Sequence, residues 1–188
     1  MVSLGVMKNS SWFHFCGGAI ISEYRVLTAA HCIFSVNYGY TKKSAIRVGD
    51  SNLKTPLNSS KIYQINVAIK HPDYEGYGPR GDIAIVFTSE KITFDRTVRP
   101  ICLTRLPHKN YNPYIDRNAV VTGWGLDENM EFGGDLRKSD YTVYSYSNCS
   151  HRYKTMSQEH FFCAGNKVLV FILPYLLCNH DWFFITAW

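Results

Sequence analysis

Apolar residues recur along the chain in short runs, and several of these runs alternate with polar positions at a period of two. Ile46-Arg47-Val48 and Ile62-Tyr63-Gln64-Ile65-Asn66-Val67-Ala68-Ile69 carry this alternation, which predicts strands with one face buried. Ala19-Ile20-Ile21 and Arg25-Val26-Leu27-Thr28-Ala29-Ala30 are small, branched and apolar. Ile83-Ala84-Ile85-Val86-Phe87 is apolar throughout, which suits a strand buried inside a barrel. Ala119-Val120-Val121-Thr122 leads into a tight Gly123-Trp124-Gly125 turn, and Tyr141-Thr142-Val143-Tyr144 predicts a further strand. Gly49-Asp50-Ser51-Asn52, His71-Pro72-Asp73 and Gly76-Tyr77-Gly78-Pro79 punctuate the runs as turns. Helical periodicity is confined to 147–154. The pattern is all-β, a barrel or a sandwich, without an internal repeat.

The polar, proline-bounded stretch His108-Lys109-Asn110-Tyr111-Asn112-Pro113 suits a connector, so 1–107 and 108–166 are expected to form a first and a second β unit. Composition changes after Asn166. Residues 168–177 are apolar, Asn179-His180-Asp181 interrupts, and 182–188 are apolar and aromatic again. A membrane span needs about 20 continuous apolar residues. Pro174 and the polar triplet break this run after ten, so no span is expected and 167–188 reads as a hydrophobic tail outside the fold.

Composition sharpens the class. The 188 residues are 46% hydrophobic and 19% charged, enough apolar matter for a packed core and too little charge for wholesale disorder. Thirteen Tyr and 11 Phe favour strands over a helical bundle. The net charge is +5, but the basic residues are scattered and the densest cluster is Lys42-Lys43, so a nucleic-acid groove is not expected. None of the six cysteines forms a C-x-x-C pair, and their wide spacing is that of a secreted disulfide framework. Sequons at Asn9, Asn58 and Asn148 agree with that compartment. Residues 1–8 lack a basic start followed by a long apolar stretch, so no signal peptide is visible, and the beginning of the chain is expected to be missing.

Two segments carry candidate chemistry. In Leu27-Thr28-Ala29-Ala30-His31-Cys32 a His follows small apolar residues, where little water reaches it; held rigidly, it suits a general base. The alternative is a structural His beside a Cys. In Gly81-Asp82-Ile83-Ala84-Ile85-Val86 a carboxylate opens an apolar run and requires a partner, such as a His whose tautomer it fixes. The alternative is simple turn chemistry. His14 with Cys16, and His31 with Cys32, match no common zinc spacing, and Asp73 with Glu75 lacks the alternating ligands of a calcium loop, so no metal is expected. His71 and Lys42-Lys43 read as loop residues, and Trp124 as a packing anchor.

Taken in order, Cys16-Gly17-Gly18-Ala19-Ile20-Ile21-Ser22, Leu27-Thr28-Ala29-Ala30-His31-Cys32, Arg47-Val48-Gly49, His71-Pro72-Asp73-Tyr74, Gly81-Asp82-Ile83-Ala84-Ile85-Val86, Val98-Arg99-Pro100-Ile101-Cys102-Leu103, Thr122-Gly123-Trp124-Gly125 and Phe162-Cys163-Ala164-Gly165 resemble the chymotrypsin/trypsin-like serine protease family, and within it the secreted proteases of insects. The resemblance covers about residues 1 to 166. It implies a double antiparallel β-barrel, with the first barrel largely present and the second incomplete. It implies His31 as general base, Asp82 as the acid that orients it, and disulfides Cys16–Cys32 and Cys149–Cys163. Cys102 matches a cysteine that tethers an N-terminal pro-segment in many zymogens, and Cys102 and Cys178 are expected to stay free or pair non-natively. The implied substrate is a protein or peptide, the implied location extracellular, with other proteases or inhibitors as further partners and no cofactor.

The departures are at the ends. The family's Gly-Asp-Ser-Gly-Gly nucleophile motif has no counterpart: Gly-x-Ser-Gly does not occur, and no Ser lies beyond Ser157. The Ile-Val-Gly-Gly activation sequence is expected just before Met1. Three readings follow: a trypsin-like endopeptidase chain truncated at both ends and inactive as written; a non-catalytic homologue that binds partners of a protease cascade; or a gene-model or splice fragment.

Overall fold

The computed structural model describes residues 1–34, 42–55, 57–76, 80–103, 114–125, 134–150 and 163–165, with backbone alone for 161–162, 170–174 and 184–186. Strands β1 (Val2–Lys8), β2 (Ser11–Ser22), β3 (Arg25–Thr28), β4 (Ser44–Val48), β5 (Lys61–Lys70) and β6 (Ala84–Thr88) close into a barrel in the order β1-β2-β3-β6-β5-β4. Every neighbouring pair is antiparallel. Val2–Lys8, given no element by the sequence, closes the barrel by pairing with β2 on one side and β4 on the other. Gly5 is needed in β1 because a Cβ there would lie 2.5 Å from the Phe13 carbonyl oxygen and 2.6 Å from the Trp12 ring.

Val2, Leu4, Cys16, Ile20, Val26, Ile46, Val48, Tyr63 and Val86 point into the barrel and form its core. In β6 the apolar run buries Ala84, Val86 and Thr88 while Ile85 and Phe87 are half-buried, so a continuous run still obeys the two-residue period. In β5 the alternation does not hold one face. A register shift between Ile65 and Val67 turns the strand, so Tyr63, Ile65 and Ala68 meet the core while Val67 and Ile69 face out at 46% and 57% exposure. A slip of one residue exchanges the two faces of a strand, which the sequence pattern alone does not reveal.

Strands β7 (Asn118–Gly123), β8 (Arg137–Tyr144), β9 (Phe161–Gly165), β10 (Val170–Pro174) and β11 (Phe184–Thr186) form a second sheet in the order β10-β9-β8-β7-β11. The apolar tail therefore supplies backbone to this sheet, and Pro174, which has no N–H to donate, stands at the end of an edge strand. Val143 is fully buried beside the turn at 114–117, exchanging backbone hydrogen bonds with Asp116 and Arg117. Helix α1 spans His31–Phe34, and α2 spans Ser147–Ser150; the rest of the expected helix, 151–154, and the expected connector at 108–113 lie outside the described residues. By compactness the chain divides into one unit built on Met1–Ile101 with Gly123–Arg137, and another built on Cys102–Thr122 with Lys138–Ile185. The architecture is the all-β barrel fold that the motifs imply, a closed six-stranded barrel and a partial second sheet. Among the described residues no helix is long and apolar enough to cross a membrane.

Candidate active site

The ladder between β3 and β6 sets the geometry. Thr28 is paired with Ala84, so the chain leaving β3 and the chain entering β6 lie side by side at the same end of the barrel. His31 comes three residues after Thr28 and Asp82 two residues before Ala84. A hydrogen bond from Ile83 N–H to the Gly81 carbonyl (2.7 Å) folds the chain tightly around Asp82. Gly81 has φ +63°, and a Cβ on it would lie 2.9 Å from the backbone of Asp73 and of Tyr74. Only glycine fits that approach without strain.

The Asp82 carboxylate holds His31 twice. Its Oδ1 accepts the His31 backbone N–H at 2.8 Å, and its Oδ2 lies 2.6 Å from ring Nδ1. The side chains keep 19% and 21% of their exposure, so the pair is partly shielded yet reachable from solvent. A carboxylate at Nδ1 accepts a hydrogen bond from Nδ1–H, which leaves Nε2 as the basic ring nitrogen. Behind the pair, Ala30, Tyr74 and Ala84 form a small buried cluster, so the residue before His31 and the residue two after Asp82 pack on one aromatic ring. Tyr74 is in turn tied to β5, because Lys70 Nζ donates to its carbonyl at 2.6 Å. In the sequence Tyr74 stands out only as part of the His71-Pro72-Asp73-Tyr74 motif. The available signal was a large aromatic in a polar, Pro- and Gly-bounded turn, where solvent exposure would be unfavourable.

Helix α1 starts with His31 and is pinned by Cys32, whose disulfide to Cys16 ties it to β2. Cys16 and Cys32 sulfurs and a His31 nitrogen lie within 4.8 Å of one another, but the two sulfurs are bonded to each other and offer no thiolate pair to a metal. His14 is engaged elsewhere: its Nδ1 lies 2.8 Å from Ser3 Oγ, which accepts Trp12 Nε1–H at 2.7 Å, and its ring meets Trp124 edge-on at 5.8 Å. Burial, and then the positive charge of Arg47, push the His14 pKa down to about 4. Arg47, unremarked in the sequence beyond its motif, is buried in β4. Its Nε lies 2.6 Å from Asp50 Oδ2, and its guanidinium sits 5.2 Å over the Trp12 ring.

Cys149 of α2 is bonded to Cys163 of β9, and Cys102 is free and exposed; Cys178 lies outside the described residues. His71 sits at the turn after β5, where its Nδ1 accepts the Asp73 N–H at 3.2 Å. Asp73 pairs with Arg80 at 3.4 Å. Lys42 and Lys43 are exposed, and Trp124 is buried with its Nε1–H directed at the Ser51 carbonyl, 3.4 Å away.

A family profile described as Trypsin matches residues 1–169. Trypsin-1 of Salmo salar is 30% identical over 159 residues, covering 83% of this chain and 60% of its own length. Chymotrypsin-C of Bos taurus is 30% identical over 184 residues, covering 96% of this chain and 64% of its own. Ovochymase of Halocynthia roretzi is 33% identical over 159 residues, 81% of this chain and 10% of that protein. The chain thus spans less than two thirds of these relatives. Among solved structures, neuropsin, a serine protease expressed in the limbic system of mouse brain, superposes with a TM-score of 0.70 at 24% identity, covering 88% of this chain and 69% of that one, which speaks for the fold alone.

Proposed function

The chain belongs to the trypsin family of serine proteases, and from that premise we propose that His31 is the general base and Asp82 its orienting acid in the hydrolysis of protein or peptide substrates. The observation that carries the reading is the two-point hold of Asp82 on His31, at the backbone N–H and at ring Nδ1. In the acyl-transfer chemistry of this family, a Ser hydroxyl attacks the scissile carbonyl while the imidazole takes its proton at Nε2 and later returns one to the leaving amine. The carboxylate keeps the imidazole in the right tautomer and stabilises the imidazolium. The location we propose is extracellular, supported by two disulfides that a reducing compartment would not maintain.

The nucleophile is not among these 188 residues, since no Gly-x-Ser-Gly occurs and the last Ser is Ser157. As a 188-residue polypeptide the chain therefore holds base and acid without the group they serve. Expressed as such, it should not be labelled by a serine-directed fluorophosphonate; specific labelling absent from a heat-denatured control would overturn this. Sequencing transcript and genomic DNA downstream of codon 166 tests the family role directly. If a Gly-Asp-Ser-Gly-Gly segment follows there, the longer chain should hydrolyse peptide esters, and His31→Ala should lower its kcat by at least about 1,000-fold. An unchanged kcat would refute the assignment of His31. The alternative reading is a non-catalytic member whose barrel surface binds protease-cascade partners. That reading requires the 188-residue chain to bind such a protease without being cleaved.

A further inference from the structure

We propose that Asn9 and Asn58 are N-glycosylation sites, and that the third sequon, at Asn148, is largely spared because its middle residue is tied into a disulfide. The proposal rests on the extracellular reading above. The reaction is the transfer of an oligosaccharide from a polyprenyl-diphosphate carrier, catalysed by a transferase in the lumen of the secretory pathway. The Asn amide nitrogen forms a bond to the sugar C1, the bond from C1 to the phosphate oxygen breaks, the lipid diphosphate leaves with that electron pair, and the amide gives up one proton.

Asn9 and Ser10 are the two-residue tip of the hairpin between β1 and β2, where Lys8 pairs with Ser11. Their φ values are +47° and +62°, the left-handed pair that makes a type I′ turn. Both residues, and the sequon hydroxyl residue Ser11, are exposed. Asn58 and Ser59 are the central residues of a second turn, closed by Ser60 N–H donating to the Leu57 carbonyl at 3.0 Å. Asn58 is exposed as well. Among the described residues neither Asn9 nor Asn58 has a side-chain hydrogen bond. A bulky polar chain at either position projects from a turn and displaces nothing. It would also cover exposed apolar side chains: Met7 and Phe13 flank the hairpin tip at 48% and 51% exposure, and Leu57 precedes Asn58 at 49%.

Asn148-Cys149-Ser150 is different. Its residues lie in α2, where Asn148 N–H donates to the Ser145 carbonyl and the side-chain Oδ1 accepts from Ser147 Oγ at 3.4 Å. Cys149 is fully engaged with Cys163, fourteen residues on. Closing that short loop winds the tripeptide into a helical turn, in competition with its presentation to a transferase in an extended form.

The test is translation of the full 188-residue chain behind a cleavable heterologous signal sequence, with microsomes present. The readout is site-by-site: peptide N-glycosidase in ¹⁸O-water converts each modified Asn to labelled Asp for mass spectrometry. The expected result is near-complete occupancy at Asn9 and at Asn58, lost one site at a time in Asn9→Gln and Asn58→Gln and in the hydroxyl-removing Ser11→Ala and Ser60→Ala. Occupancy at Asn148 should be a minor fraction that rises several-fold in Cys163→Ser. Unmodified Asn9 or Asn58 in chain protected from added protease, or full occupancy at Asn148 with Cys163 intact, would overturn the proposal. Because the signal sequence is supplied, failure of the extracellular reading would appear separately, as chain in the cytosol of its own cells.

Discussion

Asp82 grips His31 through both carboxylate oxygens, one on the ring and one on the backbone, at 2.6 and 2.8 Å. The two contacts separate in their response to mutation. Asp82→Asn keeps an oxygen for the backbone N–H but offers the ring no anion; Asp82→Ala removes both. Loss of a hydrogen bond to a charged group amounts to about 1.5–3 kcal/mol, so Asp82→Ala should lower the urea-unfolding free energy by roughly that much and Asp82→Asn by less. Long-range ¹⁵N–¹H NMR should show the neutral His31 ring protonated at Nδ1 in the wild type and a mixture of tautomers in Asp82→Asn. Equal tautomer populations in the wild type would contradict the arrangement.

Gly81→Ala tests the turn that delivers Asp82. The new Cβ meets the backbone at 2.9 Å, and the residue must keep a positive φ. A strained φ of this kind costs on the order of 1–3 kcal/mol, and relief requires moving Asp82. The variant should lose stability by about that amount and also lose the Nδ1–H signature. A stable variant with an unchanged His31 spectrum would show that the turn has slack.

The Cys16–Cys32 bond, with a sequence separation of 16, closes a loop whose cross-link is worth about 3 kcal/mol in the chain-entropy account. Cys16→Ser with Cys32→Ser should lower stability by approximately that, and free the end of α1. Peptide mapping without reduction should recover Cys16 joined to Cys32 and Cys149 to Cys163. Cys16 joined to any other cysteine would count against the architecture.

Acid should weaken the first unit through His14. Its folded pKa of about 4 lies below the ordinary 6.5, so between those values the unfolded chain binds a proton that the folded chain does not. The stabilisation is complete above about pH 6.5 and is lost as the pH falls towards 4, a change on the order of 2 kcal/mol. Urea midpoints from pH 7.5 to 4.5 should fall more steeply for the wild type than for His14→Gln. Parallel slopes would mean that other groups carry the acid response.

Much of this was legible in the chain. The period-two runs locate β4 and most of β5, the continuous apolar runs locate β6 and β7, and the order of motifs carries the fold. Three things were not. Val2, Leu4 and Val6 alternate as a strand should, yet a terminal segment of seven residues has no second turn signal to mark it. The inward face of β5 depends on a register shift that only its pairing with β6 creates. The burial of Arg47 combines Asp50, three residues on, with the ring of Trp12 on another strand, and the second partner has no local signal. His31 and Asp82 were individually ambiguous, fifty-one residues apart, and became a pair only through the pairing of Thr28 with Ala84.

That ladder also sets a timetable. In the order β1-β2-β3-β6-β5-β4, strand β3 cannot be flanked on its open side until β6 has been synthesised, and β6 enters between two strands already made. The chain reaches Ala84 only after Asp82, so the docking that completes the barrel is the same event that brings the carboxylate to the imidazole. His31 is left uncoupled on any nascent chain whose barrel is still open, and its tautomer becomes an internal clock for barrel closure.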